Sequence, residues 1–383
     1  MVTAAAVVWT FVVIAIGTHA FLNPQRHSIF PIYSFGAHAF WQGHSLYHGS
    51  GLGDEFQNGP LFAVGISPLA YLPARWGNAL WKLFNVGIFL MALAAWLKEA
   101  LPEPIQGREA AFIFLLALGD SLQCVYDGNS NLFVIAAILL AMAAIARGRN
   151  GRAGVWLASA TLAKAFPLTL AALLTVVCGV AVAAPFALAM GAGLAVPIVV
   201  HPSAGLAQTK EWLGVLATRS DQRQIRHCSI DQLFRIYGHP LPISWSNALA
   251  AAAGLAALLL CVTYARRADR RSTLTFTLAA FSAWMLLFLP SLEAATLAVA
   301  APSIALALLE ARRRGWNGIL VLLAISWWLL GPAVTDIAGS RARMWVQDSG
   351  AIPIGGLLFA ICLVTLWNAA GQRIPQRVLQ TEN

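Results

Sequence analysis

Lys164 is the first candidate for chemistry, because it is a charged side chain between two apolar stretches, three residues before Pro167. An ionisable residue at membrane depth is costly and usually faces a cavity or a partner. Two interpretations stay open. The long stem of Lys164 extends the ammonium to the membrane interface, or the lysine binds a phosphate or carboxylate beside a helix break whose freed backbone groups line a cavity.

Two carboxylates also lie in apolar surroundings. Glu293 follows Pro290 and opens an apolar stretch. An acid at a helix N-terminus gains about 0.3–1 kcal/mol from the helix dipole, but a carboxylate in a half-buried cleft is also a candidate general base. Asp120 stands near the end of another apolar stretch, where we expect it to hydrogen-bond to nearby serine or backbone groups.

The segment 126–131 reads Tyr-Asp-Gly-Asn-Ser-Asn and predicts a turn between two apolar helices. Asp127 and Asn129 have side chains suited to capping the helix that follows. Capping does not explain Asn131, an amide in the first turn of an apolar helix, so Asp127 and Asn131 are candidate ligands of a bound substrate.

Two polar segments, 23–59 and 201–244, carry further candidates. Arg223 and Arg226 lie in the second, where they either bind an anion such as a lipid phosphate or form ion pairs within a solvated loop. The first contains four histidines (His27, His38, His44 and His48), but their spacing matches no known ligand pattern. We therefore predict no cofactor, although a divalent metal is compatible with the sequence.

The elements that position these residues must be membrane-spanning helices. Hydrophobic residues make up 59% of the 383 positions and charged residues 11%, against about 25% charged in a soluble domain. A span needs about 20 apolar residues. The sequence therefore predicts an all-α, polytopic bundle of about twelve spans, folded as a single integral membrane domain over 1–383.

The spans are expected near 4–22, 76–96, 109–125, 130–146, 245–264, 273–289, 294–308, 318–334 and 351–367, with three short ones in 153–200. Breaks at 164–167 and 183–185 would divide that last region. Within the first polar segment, 32–41 is amphipathic, and 60–72 predicts a short re-entrant or interfacial helix because it is apolar but too short to cross.

Charge sets the expected orientation. The net charge is +9, but the basic residues form short clusters between apolar runs, at 147–152, 266–271 and 312–314, which are retained in the cytoplasm during insertion. This distribution argues against nucleic-acid binding. It predicts cytoplasmic termini, with a tail at 371–383, and places the loops 23–59 and 201–244 on the outer face of the plasma membrane.

The order of several motifs resembles a known family. Gly-His-Ser-Leu-Tyr ends at Tyr47, Asn-Gly-Pro-Leu-Phe-Ala runs over 58–63, Gly-Asn-Ser-Asn over 128–131, and Leu-Ala-Lys-Ala-Phe-Pro over 162–167. Over about 25–310 this pattern resembles the GT-C membrane glycosyltransferases of family 87, of the polyprenyl-phosphate-mannose-dependent α-mannosyltransferase type.

The resemblance implies a polyprenyl-phosphate-linked sugar donor that enters from the bilayer. It also implies an aspartate base in the first outer loop, about four residues before a tyrosine. That tyrosine looks like Tyr33, and the aspartate position is then Ile29. Candidates for the base are then Asp54, Glu55 and Glu293, or His27, whose imidazole has a suitable pKa near neutrality. Asn129 also stands where the family has glutamine.

The resemblance implies that the protein moves a hexose, most plausibly mannose, from the polyprenyl-phosphate carrier to an envelope lipid or glycan. Lys164, Arg223 and Arg226 would stabilise the departing phosphate. Two alternatives remain. A transporter or lipid flippase also uses broken helices and intramembrane charges, and a family member without the base would act as a non-catalytic scaffold.

Overall fold

A computed structural model describes residues 1–51, 55–218, 229–289, 292–335 and 339–371, with side chains described to 367. Every regular element in these ranges is a helix. The α-helices are α1 Val2–Leu22, α2 Phe30–Gln42, α3 Pro60–Ala70, α4 Ala74–Glu99, α5 Gly107–Asp127, α6 Asn131–Ala146, α7 Asn150–Ala163, α8 Pro167–Cys178, α9 Val180–Val200, α10 Pro202–Thr218, α11 Ile230–Ile236, α12 Ile243–Ala265, α13 Arg270–Phe288, α14 Ala301–Arg313, α15 Asn317–Leu330, α16 Ser340–Asp348 and α17 Ala351–Gly371. Short 3₁₀ helices, Ala294–Ala300 and Pro332–Val334, precede α14 and follow α15.

Eight segments in the described chain are long and apolar enough to cross a membrane, or nine if α16 and α17, which meet at a 68° bend, form one span. This confirms an all-helical, multi-pass membrane protein. The number is below the expected dozen because α6 and α8 are apolar but shorter than 18 residues, and α7 has only 14 residues.

The region 153–200 contains three helices, as predicted, and its first break lies at 164–166 between α7 and α8. The second predicted break, at 183–185, is wrong. Helix α9 continues through Pro185, and the chain instead breaks at Gly179, whose φ of +72° suits a residue without a Cβ. A proline inside a membrane helix is tolerated where neighbouring groups satisfy the freed carbonyl.

The chain divides into two compact units. One comprises Val2–Glu99 and Gln123–Gln222, and the other comprises Met1, Ala100–Leu122 and Arg223–Asn383. All the contacts described below lie within one unit or the other. The first, which we call the loop-bearing unit, contains α1 to α4 and α6 to α10.

The first polar segment is largely folded. The predicted amphipathic stretch is α2, which starts with Pro31 in its first turn and ends at Gly43, where φ is +73° and the N–H donates to the carbonyls of Ala39 and Phe40. Helix α3 corresponds to the predicted short apolar helix. Buried residues of α2 and α3 pack with Leu46, Tyr47 and Phe56 from the connecting loop in one hydrophobic core. These three loop residues are therefore held in the core of the unit.

In the loop-bearing unit, polar segments gather at the two ends of the helices. Arg147 follows α6 and forms an ion pair of 2.5 Å with Glu99, the last residue of α4. Helices α6 and α7 are antiparallel, so the start of α6 at Asn131 and the end of α7 at Ala163 lie together at the opposite end of the helices from Arg147. There they meet the first polar segment. Which end faces the cytoplasm stays a prediction.

Candidate functional site

The start of the first polar segment is fixed to the turn after α5 by two hydrogen bonds. The N–H of Ile29 donates to the carbonyl of Asp127 at 2.9 Å. The N–H of Ser130 donates to the Tyr33 hydroxyl at 2.9 Å. Tyr33 is buried and packs edge-on against Phe62, with ring centroids 5.0 Å apart. Tyr33 therefore joins α2 to the 127–131 turn.

Asn58 connects the same turn to the break after α7. Its side-chain amide donates to the Ser130 hydroxyl at 2.9 Å and to the Ala163 carbonyl at 3.0 Å. The backbone carbonyl of Asn58 accepts a hydrogen bond from the Tyr47 hydroxyl at 3.1 Å. Asn58 is 1% exposed. Three segments that are far apart in sequence therefore meet in one place: the first polar segment (at 27–33 and 58–59), 127–131 and 163–164. We call this place the three-segment junction.

Lys82 is a functional candidate that we did not single out from the sequence. It lies in α4, is 1% exposed, and donates from Nζ to the carbonyls of His27 (3.1 Å) and Tyr126 (2.5 Å). The charge inside an apolar span was the available signal, the same one that pointed to Lys164. Because Lys82 is enclosed, it anchors the backbone on both sides of the junction.

His27 is exposed, and its backbone is left-handed with φ +49°. Its ring centroid lies 5.1 Å from that of Tyr126 and 6.4 Å from that of His19. The Lys82 hydrogen bond to its carbonyl holds this conformation in place. The structure thus puts His27 at the edge of the junction and open to solvent, where its proposed role as a base stays a prediction.

The turn residues partly follow the capping expectation. The Asn129 side-chain oxygen accepts the backbone N–H of Asn131 at 3.0 Å, which is a local cap of the predicted kind. Asp127 instead ends α5, and its carboxylate accepts a hydrogen bond of 2.5 Å from the side-chain amide of Gln123. Asn131 is completely buried. Asp127 is half-buried, so it is the more accessible of the two predicted ligands.

Lys164 lies at the break between α7 and α8. Its backbone is extended, with φ −143° and ψ 139°, and its side chain is half-buried. The preceding residue, Ala163, is the one whose carbonyl Asn58 binds. Lys164 therefore belongs to the three-segment junction together with His27, Tyr33, Asp127 and Asn131.

Glu293 lies in the other unit, directly before the 3₁₀ helix Ala294–Ala300. It is half-buried, and its side chain makes no capping hydrogen bond. Both interpretations of Glu293, as an acid favoured by the helix dipole and as a general base, stay open. Asp54, Arg223 and Arg226 lie outside the described residues, and their predicted roles stay predictions.

The expectation that Asp120 bonds to local groups is wrong. Asp120 is 5% exposed, and neither of its carboxyl oxygens has a hydrogen-bond partner among the described residues. The neighbouring Ser121 hydroxyl donates to the Ala117 carbonyl instead. The backbone of Gly331 packs directly on the carboxyl group, where a Cβ would lie only 2.1 Å from Oδ1.

The loop 43–59 has its own polar contacts with α10. The Ser45 hydroxyl donates to Glu211 at 2.5 Å, and the imidazole of His48 lies 3.7 Å from the same carboxylate. Burial, with a smaller contribution from Glu211, raises the pKa of Tyr47 above its usual value. Within the described residues, no group of three or more His, Cys, Asp or Glu side chains could hold a metal ion.

An apolar groove begins at the junction. Its volume is about 370 Å³, and its walls come from α3, α4, α6 and α7. Lining side chains include Leu61, Phe62, Trp81, Phe84, Phe133 and Leu162, and Ala163 completes one end. The indole N–H of Trp81 donates to the Gly128 carbonyl at 2.7 Å. The groove and the polar turn therefore share a wall.

A polytopic helical membrane protein with a polar junction beside an apolar groove is the class that the fold and site define. Comparison with protein families then identifies it: residues 56–290 match the model of glycosyltransferase family 87. This match covers more than half of the chain, so the protein belongs to glycosyltransferase family 87. The resemblance to family 87 is confirmed, and the mannosyltransferase type stays a prediction.

Two solved structures of ArnT from Cupriavidus metallidurans are similar to the chain. The structure bound to undecaprenyl phosphate has a TM-score of 0.44 and 13% sequence identity, with 98% of this chain and 78% of that chain covered. The apo structure has a TM-score of 0.35 and 15% identity, with 97% and 78% covered. The comparison with curated proteins gave no match. Family membership makes the protein a membrane glycosyltransferase.

Proposed function

We propose that this protein transfers a hexose, most plausibly mannose, from a polyprenyl-phosphate carrier to a lipid or glycan of the cell envelope. The reaction would take place on the outer face of the plasma membrane. One observation carries this proposal: the apolar groove ends at a polar junction that contains a lysine and a carboxylate. A lipid-linked sugar needs those two environments side by side.

The groove suits the carrier chain. Its volume of about 370 Å³ lies within the range of about 300–1,000 Å³ typical of small-molecule sites. Its walls are aliphatic and aromatic, and Phe84 is half-exposed on the surface of α4. An isoprenoid chain has no hydrogen-bonding groups, so it passes from the bilayer into such a groove without leaving a polar group unsatisfied, and its packing against the walls replaces its contacts with lipid.

The junction suits the phosphate and the sugar. Lys164 directly follows Ala163 at the end of the groove, so an isoprenoid phosphate with its chain in the groove would bring its negative charge to this lysine. An ammonium near the departing phosphate stabilises the charge that develops as the sugar leaves. Arg223 and Arg226 are proposed as further phosphate ligands on the basis of their charge.

The activity test uses the purified full chain in lipid vesicles with radiolabelled polyprenyl-phosphate mannose and a crude envelope-lipid acceptor. We expect label to move to the acceptor and free polyprenyl phosphate to accumulate. Polyprenyl-phosphate glucose and galactose are tested in parallel, because the hexose is the least constrained part of the proposal. Failure with every donor would refute the proposed transfer and leave the scaffold or transport alternatives.

The groove test compares two glycines at which an added side chain meets open space. Gly65→Phe fills the groove, because Gly65 lines it and nothing lies within 4 Å of its Cβ position. Gly151→Phe is the matched control, because Gly151 is equally open and is exposed near the start of α7, at the opposite end of that helix from Ala163. Loss of donor binding in Gly65→Phe alone is expected. Equal donor binding by both variants would contradict the assignment of the groove.

The lysine test compares Lys164→Met with Lys98→Met. Lys98 is exposed near the opposite end of α4, so its substitution removes one charge without touching the junction. We expect Lys164→Met to weaken binding of polyprenyl phosphate, whereas Lys98→Met binds it as the wild type does. If Lys164→Met binds the phosphate normally, its side chain is not a ligand.

A further inference from the structure

The loop-bearing unit contains few acids that could serve the proposed transfer. Its described carboxylates are Glu55, Glu99, Asp127 and Glu211. Glu99 is paired with Arg147 at the opposite end of the helices. Glu55 and Glu211 both lie near His48 on the loop surface. Asp127 is the described carboxylate of this unit that lies in the three-segment junction.

The surroundings of Asp127 place it at the reacting end of the groove. Its carbonyl accepts the N–H of Ile29, and Ile29 is the position at which the family resemblance would place a carboxylate. The carbonyl of the next residue, Gly128, accepts a hydrogen bond from the indole N–H of Trp81, which lines the groove. The backbone of Asp127 therefore contacts residue 29, and Asp127 supplies a carboxylate to the junction from a different segment of the chain.

Two neighbours interact with the Asp127 carboxylate. The amide of Gln123, one helical turn earlier in α5, donates to Oδ2 at 2.5 Å, which fixes the rotation of the group. The buried ammonium of Lys82 interacts electrostatically with Asp127. Lys82 is enclosed and already donates to two backbone carbonyls, so we expect it to stay beside Asp127 when a lipid phosphate binds.

We propose that Asp127 is the general base of the transfer and that Gln123 positions it. The acceptor hydroxyl oxygen forms a bond to the anomeric carbon of the sugar, and its proton passes to the Asp127 carboxylate. The bond between the anomeric carbon and the phosphate oxygen breaks, and its electron pair leaves with the polyprenyl phosphate. This inference rests on the proposed glycosyl transfer.

The central test is Asp127→Asn in the reconstituted full chain. The amide keeps the size of the side chain and an oxygen that can accept from Gln123, but it cannot take a proton. We expect kcat to fall about 100-fold or more, in line with the usual contribution of a general base, while the Kd for polyprenyl phosphate stays unchanged. Glu103→Gln is the matched control, because Glu103 is exposed in the other unit.

Gln123→Leu tests the positioning role separately. It should lower kcat with little change in the KM for the donor, because the carboxylate remains but is no longer oriented. Gln123→Glu should be at least as damaging, since it puts a second negative charge against Asp127. An unchanged kcat in Gln123→Leu would remove Gln123 from the proposal.

The outcomes separate the two proposals. If the wild type transfers no hexose from any donor, the proposed function is refuted and the base assignment falls with it. If the wild type is active and Asp127→Asn keeps its kcat, Asp127 is not the base, and a loss in Glu293→Gln or His27→Gln would assign that role elsewhere. A loss of donor affinity equal to the loss of activity would make Asp127 a binding residue instead.

Discussion

Asn58→Asp should disconnect the three segments of the junction without changing the size of the side chain. In the wild type the amide nitrogen donates to the Ser130 hydroxyl and to the Ala163 carbonyl. In the variant an oxygen faces both of these partners. The carbonyl of Ala163 then has no donor at this position, and the Ser130 hydroxyl must rotate to offer its own proton.

The expected loss of stability follows from these contacts. Each hydrogen bond contributes about 0.5–1.5 kcal/mol, so the two together contribute about 1–3 kcal/mol. A buried carbonyl without a donor costs about 1–3 kcal/mol more, and Asn58 is only 1% exposed, so water does not compensate. The total is about 2–6 kcal/mol, which corresponds to a decrease in Tm of about 4 °C or more in a unit of this size.

Thermal unfolding in detergent, followed by hydrogen exchange with mass spectrometry, measures both the loss and its location. We expect faster exchange in 127–134 and 160–166, the two segments that Asn58 joins. Asn317→Asp is the control, because Asn317 is exposed at the start of α15. If Asn58→Asp melts within 1 °C of the control and exchange at both segments is unchanged, the junction is not held together in the way the contacts indicate.

Other substitutions test separate parts of the fold. Tyr33→Phe should lower the free energy of unfolding by about 1–3 kcal/mol, since a buried N–H loses its acceptor; denaturant titration would detect this, and wild-type stability would contradict it. Asn85→Leu should raise Tm, because both amide atoms of the buried Asn85 lack partners among the described residues; a lower Tm would reveal an ordered water or ligand there. Gly331→Ala should lower Tm, because its Cβ would meet both Oδ1 and the backbone of Asp120; an Asp120→Ala background should recover only the part of the loss due to Oδ1, and a Tm of Gly331→Ala equal to that of the wild type would contradict the contact. The raised pKa of Tyr47 predicts that the free energy of unfolding declines above about pH 10, because the tyrosine of the unfolded chain then releases its proton and the buried one keeps it. Tyr47→Phe should show a smaller decline. An equal decline in both proteins would refute the assignment.

Sequence was sufficient for the class of protein and for much of the helix pattern. A multi-pass fold follows from a sum over many apolar residues, which no single contact can reverse. Local chemistry was also reliable at the break before Pro167 and in the helix that Gly43 ends. It failed at Pro185, because whether a proline breaks a membrane helix depends on which neighbours satisfy the freed carbonyl, and the local sequence does not contain that information.

The candidate site was only partly predictable. The sequence singled out Tyr33, Asp127, Asn131 and Lys164, and these residues do lie in one junction. Their arrangement could not be deduced, because it depends on hydrogen bonds between groups up to 105 positions apart, such as the one from Asn58 to Ala163.

Lys82 illustrates what only the tertiary structure decided. From the sequence it is one lysine in α4, and nothing nearby in the chain indicates a partner. The folded chain brings the carbonyls of His27 and Tyr126 to its ammonium. The sequence by itself thus determined that the protein spans a membrane and belongs to a transferase family, because both depend on composition and local motifs. The folded chain decided which charges are enclosed and which face a groove, because burial depends on segments that meet only in three dimensions.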